Sequence, residues 1–249
     1  MEKYIQKINI QSYQTDQYGK ASICSLFHFM LEAAWAHAKV MDWGYDQLQS
    51  QNMFWVLSRM YVKVEKYPAW QDQIALSTWS AGTDGMFAYR EFILENAKRE
   101  ILLSGNTAWL ILNAETKKII LLREYMETFP RYKGTSACRE PRRIRPQKHH
   151  EAMQFFPVLF SDLDINKHFN SVKALERVLD DFGISFLNKY EPESIEINYL
   201  KEGLPSDLLA VSSDQTGEHE YQSSIIRESD QADLSTMNIS WRERVEEKG

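Results

Sequence analysis

Residues 161–172 read Ser161-Asp162-Leu163-Asp164-Ile165-Asn166-Lys167-His168-Phe169-Asn170-Ser171-Val172. The stretch is dense in Asp, Asn and His, and a helical pattern follows it at once. The apolar residues of that pattern recur at helical spacing: Val172, Leu175, Val178, Leu179 and Phe182. Asn170 or Ser171 can cap the N-terminus, and Gly183 is placed to end the helix. The sequence therefore predicts a polar loop that leads into an amphipathic helix.

A second loop of the same kind lies near the start of the chain and reads Thr15-Asp16-Gln17-Tyr18-Gly19-Lys20. A helix is predicted from Ser22 onward. Its apolar residues occupy more than one face: Ile23, Leu26, Phe27, Met30, Leu31, Ala33, Ala34 and Ala38. This distribution is typical of a helix that is buried on most sides.

Strand-like runs follow each predicted helix. In the first half they cover residues 54–66, 73–79, 87–94, 101–112 and 119–122, and in the second half residues 195–200, 208–213, 221–227 and 234–241. The two halves also share Glu-x-x-Pro at an offset of 137, at Glu65 and Glu202, with Asp72 and Asp207 soon after. The shared order predicts a duplicated α+β unit, in which a curled antiparallel sheet wraps a long helix.

Composition excludes several classes of protein. The chain has 249 residues, of which 43% are hydrophobic and 31 are aromatic, so it can bury a sizeable core. No run of 18 uncharged apolar residues and no signal-like start are present, so neither a membrane span nor secretion is expected. Two cysteines, Cys24 and Cys138, favour a reducing, cytoplasmic location. The net charge of −6 argues against binding to nucleic acid.

Residues 131–150 stand out by charge, with seven Lys or Arg and a single acid, Glu140. Two prolines and the lack of apolar periodicity indicate a linker. A solvated connector is the simpler interpretation, and a surface that docks an acidic partner by electrostatic steering stays open.

Three interpretations compete for the 161–170 stretch: a metal site, a structural turn and a catalytic site. Calcium binding fails, because an EF-hand loop needs Gly and Glu where Lys167 and Lys173 stand. Zinc fails as well, because His168 has no second ligand at suitable spacing and His149 and His150 lie in the linker. A structural role in shaping the turn and capping the helix remains, beside a catalytic one. In the catalytic case, Asp164, Asn166 and His168 would leave one face of an extended segment, next to a helix N-terminus that can stabilise an oxyanion.

The 161–172 stretch resembles the signature Ser-Asp-Leu-Asp-x-Asn-x-His-x-Asn-x-Val of the acyl-acyl-carrier-protein thioesterases, which are double-hotdog enzymes. Further similarity lies in residues 54–64, in Tyr67-Pro68-x-Trp70-x-Asp72, in Thr78-Trp79 and in Gly85-Met86. The resemblance implies a catalytic set of Asp164, Asn166, His168 and Glu202. Glu202 is assigned from its Tyr-x-x-Glu context. Plant members have Cys after this Glu, whereas Gly203 stands here, so a thiol nucleophile at that position is excluded.

The resemblance also implies the domain organisation. A tandem hotdog is expected, with an N-terminal acyl-binding unit over residues 1–130, a basic linker over 131–150 and a catalytic unit over 151–249. Asp16 and Glu65 occupy the matching places in the first half, but no Asn-x-His follows Asp16. The first half is therefore expected to be catalytically silent.

The function implied by the resemblance is hydrolysis of fatty acyl thioesters on acyl carrier protein, without a cofactor or a metal. The acidic carrier would dock on Arg142, Arg143 and Arg145, and a homodimer stays open. Alternatives are an acyl-CoA thioesterase, a non-catalytic acyl-binding sensor and a hotdog dehydratase. Aromatic residues of the first half, such as Trp35 and Trp55, are expected in the core or along an acyl tunnel, and His28 and His37 are expected to pack or to face solvent.

Overall fold

The protein is described by a computed structural model that covers residues 2–147 and 155–245. The chain divides into two compact units, unit 1 (Met1–Pro141) and unit 2 (Arg142–Gly249). The predicted start of the second unit at residue 151, together with His149 and His150, lies outside the described residues.

Unit 1 consists of a long helix on an antiparallel sheet. Its helices are α1 (Ile23–Val40) and the short α2 (Tyr45–Gln49), and its strands are β1 (Tyr4–Asn9), β2 (Met53–Val64), β3 (Gln73–Thr83), β4 (Ala88–Asn96), β5 (Ile101–Asn113) and β6 (Ile119–Ile120). The strands pair in the order β1-β3-β4-β5-β2, and β6 adds to β5. Helix α1 packs on β3 and buries nine of its eighteen residues, which agrees with its apolar pattern on several faces.

Unit 2 repeats this arrangement with a shorter helix. Its helices are α3 (Ser171–Asp181) and α4 (Gly183–Leu187), and its strands are β7 (Phe155–Pro157), β8 (Tyr190–Tyr199), β9 (Leu208–Gly217), β10 (Glu220–Arg227) and β11 (Ala232–Glu243). The strands pair antiparallel in the order β8-β11-β10-β9-β7. Helix α3 packs on β9 and β10 through one apolar face. The α+β class and the repeated helix-on-sheet order are confirmed.

The helix starts follow the predicted caps. The Ser22 side chain accepts the backbone N–H of Ser25, and the Asn170 side chain accepts those of Val172 and Lys173. Strands β1 and β7 were missed, because β1 is short and exposes every second residue, and β7 has three residues. These caps matter for function because they fix where each polar loop ends.

Candidate active site

Asp164 organises the polar loop that precedes α3. Its Oδ1 accepts the backbone N–H of Asn166 at 2.8 Å and that of His168 at 3.1 Å, while its own N–H donates to the carbonyl of His168 at 2.9 Å. Lys167 adopts a left-handed φ of +64°. The loop is therefore a tight turn. The prediction that Asp164, Asn166 and His168 project from one face of an extended segment was wrong, because hydrogen bonds to the Asp164 carboxylate close the backbone into a turn.

Unit 1 contains the same turn. Asp16 Oδ1 accepts the N–H of Tyr18 at 2.9 Å and that of Lys20 at 3.2 Å, and Gly19 has a φ of +67°. The Asp at this position shapes the backbone in both units, which supports the structural interpretation for Asp164. Tyr18 and Lys20 stand where unit 2 has an amide and an imidazole, so the turn of unit 1 lacks both side chains.

His168 contacts Glu202. Its Nε2 lies 3.3 Å from Oε2 of Glu202, and the two side chains are 22% and 40% exposed. The backbone one residue further along each loop is joined as well, because Phe169 N donates to the carbonyl of Gly203 at 2.8 Å. Residues 34 apart in sequence therefore form an imidazole–carboxylate pair that remains open to solvent.

Gly203 makes this close approach possible. A Cβ at that position would lie 2.8 Å from the Cβ of Phe169, nearer than real side chains come. A cysteine beside Glu202 would therefore push the two loops apart. The exclusion of a thiol nucleophile, predicted from the residue type, thus has a steric counterpart in this chain.

Hydrogen bonding shows that Glu202 corresponds to Tyr67 of unit 1. Leu200 and Lys201 both donate to the carbonyl of Leu234, and Glu65 and Lys66 both donate to that of Leu102. Glu65 thus matches Leu200, and the residue two further on is Tyr67. The alignment of Glu65 with Glu202 was wrong by two residues.

A second pair of equivalent backbone hydrogen bonds, three residues after Leu200 and Glu65, supports this register. The carbonyl of Gly203 accepts the N–H of Phe169, the residue before the cap of α3. The carbonyl of Pro68 accepts that of Ala21, the residue before the cap of α1. Asp207 and Asp72, which were predicted to correspond, each accept the backbone N–H three residues earlier, at 2.9 Å and 2.8 Å. Unit 1 therefore carries Tyr67 at the position of Glu202 and Lys20 at that of His168.

The remaining members of the predicted set are placed differently. Asn166 is exposed, and its side chain forms no hydrogen bond within residues 2–147 and 155–245. The predicted oxyanion site at the start of α3 has fewer free donors than expected, because the side chain of Asn170 already accepts two of the backbone N–H groups there. Only the N–H of Ser171 is left for a ligand in that first turn, as far as the described residues go.

Asp162 is the buried carboxylate of the loop, at 2% exposure. It accepts the N–H of Leu159 at 3.0 Å and pairs with Nη2 of Arg177 at 3.3 Å. No separate role for Asp162 could be predicted from the sequence, because its partner lies 15 residues away on α3. Asp162 holds the start of the loop against the helix, and so positions the turn that carries His168.

Comparison with known proteins identifies the family. Family profiles described as "Acyl-ACP thioesterase N-terminal domain" and "Acyl-ACP thioesterase C-terminal domain" match residues 1–129 and 145–243. The chain belongs to the acyl-ACP thioesterase family. Relatives of this thioesterase-family chain include the dodecanoyl-[acyl-carrier-protein] hydrolase of Cinnamomum camphora, which is 25% identical over 78% of this chain and 54% of that protein. The oleoyl-acyl carrier protein thioesterase 2 of Arabidopsis thaliana is 23% identical over 83% and 61%.

Solved structures agree on the fold of this acyl-ACP thioesterase family member. An acyl-ACP thioesterase from Bacteroides thetaiotaomicron matches with a TM-score of 0.88 and 21% identity, over 96% of this chain and 98% of that one. The 12:0-ACP thioesterase from Umbellularia californica matches with a TM-score of 0.86 and 20% identity, over 97% and 98%. The tandem hotdog fold is confirmed. The chain spans little more than half the length of the curated relatives it matches.

Unit 1 of this family member holds a buried polar pair that the sequence analysis missed. Nη1 of Arg90 lies 2.7 Å from Nδ1 of His37, and burial together with the Arg90 charge lowers the pKa of His37 to about 4. Because arginine can only donate, Nδ1 accepts and the imidazole is neutral at pH 7. His37 does pack, as expected, but its partner is a residue 53 positions away that no local pattern reveals.

The described residues contain no group of three or more His, Cys, Asp or Glu side chains that could hold a metal ion. Cys24 is buried. Cys138 is half-buried, and desolvation raises the pKa of its thiol to about 12, so it is a poor nucleophile at neutral pH. No helix in the described part of the chain is long and apolar enough to cross a membrane.

Proposed function

We propose that this chain hydrolyses the thioester that joins a fatty acyl group to acyl carrier protein, and so releases a free fatty acid and the carrier thiol. The observation that carries the proposal is the contact, at 3.3 Å, between Glu202 and His168 of the loop that bears the family signature. The names of the relatives support the substrate class. The pair is open to solvent on one side, as a site for a large carrier-bound substrate must be.

The proposed mechanism gives each residue a defined part. The Glu202 carboxylate accepts a proton from a water molecule as the water oxygen bonds to the thioester carbonyl carbon. The carbon–sulfur bond then breaks, and the proton passes through Glu202 and His168 to the departing thiolate. Asp164 is a positioning residue, because both its contacts within the turn are to backbone N–H groups. Asn166, whose amide is exposed, is proposed to bind the carbonyl or the pantetheine end of the substrate.

Unit 1 is proposed to hold the acyl chain and to be catalytically silent. A pocket in this unit is lined by aromatic side chains, among them Trp35, Trp55, Trp109 and Phe129, together with three alanines and Met41. Such a surface suits a hydrocarbon chain. Lys20 and Tyr67 at the positions of His168 and Glu202 support the absence of catalysis there.

Hydrolysis of acyl carrier protein thioesters of graded chain length tests the proposal directly. We expect release of free acid that peaks at one chain length, and slower release from the matched acyl-CoA esters. Faster turnover of acyl-CoA would favour a CoA thioesterase with the same chemistry. No hydrolysis of either series would refute the function and favour a non-catalytic acyl-binding protein.

The basic segment is proposed to dock the acidic carrier protein. Arg142, Arg143 and Arg145 are exposed, and their backbone is held in place on β8. Glu196 accepts the N–H of Arg142 at 2.6 Å, and Asn198 accepts that of Ile144 at 2.9 Å while its amide donates to Arg142 O at 2.8 Å. A fixed backbone presents the guanidinium groups at lower entropic cost than a mobile tether would.

Replacing Arg142, Arg143 and Arg145 together by Ala is expected to raise KM for acyl carrier protein substrates about tenfold with little change in kcat, because steering charges act mainly on association. KM for acyl-CoA esters should change less. The control replaces three exposed cations of unit 1, Lys98, Arg99 and Lys118, by Ala with the same loss of charge. Equal effects of both triple variants would show that net charge, and not this segment, attracts the carrier.

The cytoplasmic location and a homodimer stay predictions.

A further inference from the structure

The pocket of unit 1 contains a cation among its aromatic walls. Arg90 lies on β4, lines the pocket together with Trp35, Trp55, Trp109 and Phe129, and is only 7% exposed. A chain of pure hydrocarbon would gain nothing from a guanidinium group at this place, and it would take away the little water that still reaches that group. The position of Arg90 therefore calls for a ligand that carries an anionic group in addition to a hydrocarbon chain.

Most other donors that line this pocket already have protein acceptors. The indole N–H groups of Trp55 and Trp109 and the hydroxyl groups of Ser80 and Tyr89 all donate within unit 1. Their acceptors are Trp43 O at 2.8 Å, Thr107 Oγ1 at 2.8 Å, Pro130 O at 2.5 Å and Asp84 Oδ2 at 2.9 Å. These residues thus present mainly carbon surface to a ligand.

Arg90 has donors to spare. Its Nη1 donates to Nδ1 of His37 at 2.7 Å and to Oγ1 of Thr78 at 3.3 Å, and neither acceptor carries a charge at pH 7. The Nε and Nη2 groups have no acceptor within residues 2–147 and 155–245. Because Arg90 lines the pocket, these unpaired N–H groups are the donors through which it would bind a ligand there.

The charge of Arg90 is not balanced within the described part of unit 1. No carboxylate there forms an ion pair with it, and desolvation lowers its pKa to about 9, which still leaves it charged at pH 7. A buried cation without a counter-ion is costly, and a ligand that brings an anion recovers that cost on binding. A planar carboxylate fits the fork of a guanidinium with two parallel hydrogen bonds.

We propose that Arg90 binds the carboxylate of an aliphatic acid whose hydrocarbon chain lies against the aromatic walls of this pocket. Two sources supply that chemistry. The carboxylate can belong to a free fatty acid, or it can be the distal group of an ω-carboxyacyl chain that is carried as a thioester. The binding step itself does not depend on the proposed hydrolysis, so it can be measured separately.

The first test compares octanoate with octanol on the unaltered full chain at pH 7, by titration of tryptophan fluorescence. An apolar pocket alone favours octanol, because an ionised carboxylate loses its hydration on burial. The proposal requires the reverse order, with octanoate bound about tenfold more tightly because of its charge-assisted hydrogen bonds. Tighter binding of octanol would overturn the proposal without any need for a variant.

The second test uses Arg90→Met, which keeps an unbranched apolar side chain, and Arg90→Lys, which keeps the charge but not the fork. Arg90→Met should reverse the preference to octanol, and Arg90→Lys should keep a weaker preference for octanoate. Arg99→Met, at an exposed site of the same unit, is the matched control and should leave both affinities unchanged. An octanoate preference that survives in Arg90→Met would also overturn the proposal.

A kinetic comparison distinguishes the two sources. If the substrate supplies the carboxylate, an ω-carboxyoctanoyl thioester should be hydrolysed with a lower KM than the octanoyl thioester, and Arg90→Met should abolish that advantage. If the advantage is absent while octanoate binding still depends on Arg90, the ligand is the free acid. Failure of hydrolysis with both thioesters would count against the proposed function and leave the binding result intact.

Discussion

Glu202→Gln should lower kcat by about 10²-fold or more, and His168→Ala should have an effect of similar size. The amide of Gln keeps the shape of the Glu202 side chain and can still bond to His168 Nε2, but it cannot take a proton from water. Both side chains are partly exposed, at 40% and 22%, so little stability rests on their contact. We therefore expect the melting temperature of each variant to stay within a few degrees of the original, while KM changes much less than kcat.

The matched control for this experiment is Glu65→Gln in unit 1. Glu65 shares the Glu-x-x-Pro context of Glu202, but its hydrogen bonds place it at the position of Leu200, and it forms a surface pair with Lys63 at 2.7 Å. This substitution should leave kcat unchanged. If Glu202→Gln and His168→Ala both turn over at close to normal rates, the pair has no part in the chemistry and the proposed mechanism falls.

Local sequence patterns gave much of the fold. The caps at Ser22 and Asn170, the many-sided apolar pattern of α1 and the amphipathic α3 all depend on residues a few positions apart, so they could be read directly. Most strands were found in the right order, but their ends differ by up to five residues, as at the start of β8. Strand ends depend on pairing with distant partners, which local periodicity does not encode.

The candidate site likewise divides into features that neighbouring residues determine and features that depend on distant partners. The 161–170 stretch could be recognised as a candidate site, yet its conformation could not be predicted, because the Asp164 carboxylate competes with regular backbone bonding and closes a turn. The resemblance, and not the spacing, implied that His168 and Glu202 belong to one set, and their direct contact is seen only in the structure. Glu65 was aligned wrongly because Glu-x-x-Pro recurs two residues out of register, and only the hydrogen bonds of the folded chain, such as those to Leu102 and Leu234, reveal the shift.

The stability of the protein should fall as the pH is lowered from about 6.5 towards 4, because His37 is buried in its neutral form. In the folded chain its pKa is about 4, against 6.5 for an ordinary histidine. Between these values the unfolded chain takes up a proton that the folded chain rejects, so acid favours unfolding. For a shift of this size, the free energy of unfolding should drop by about 2 kcal/mol between pH 7 and pH 5.

The cause of this shift is the surroundings of His37. The imidazole is 3% exposed, stacks on Tyr4 with ring centroids 5.9 Å apart, and accepts from Arg90 at 2.7 Å. Protonation would place two cations in contact where no carboxylate pairs with Arg90 within the described residues. If His37 were instead held in its charged form, its pKa would be raised and the protein would become more stable in acid. The sign of the pH dependence therefore distinguishes a buried neutral His37 from a charged one.

His37→Gln is the variant that isolates the effect. Glutamine offers Arg90 an amide oxygen as acceptor but does not titrate, so the variant should lose some stability at pH 7 and then change less between pH 7 and pH 5. Urea unfolding at both pH values measures the difference, and His28→Gln, at an exposed position of the same helix, serves as the control. Parallel pH profiles for His37→Gln and the original chain would mean that another group takes up the proton. In that case the protonation of His37 would not be the cause of the loss of stability in acid.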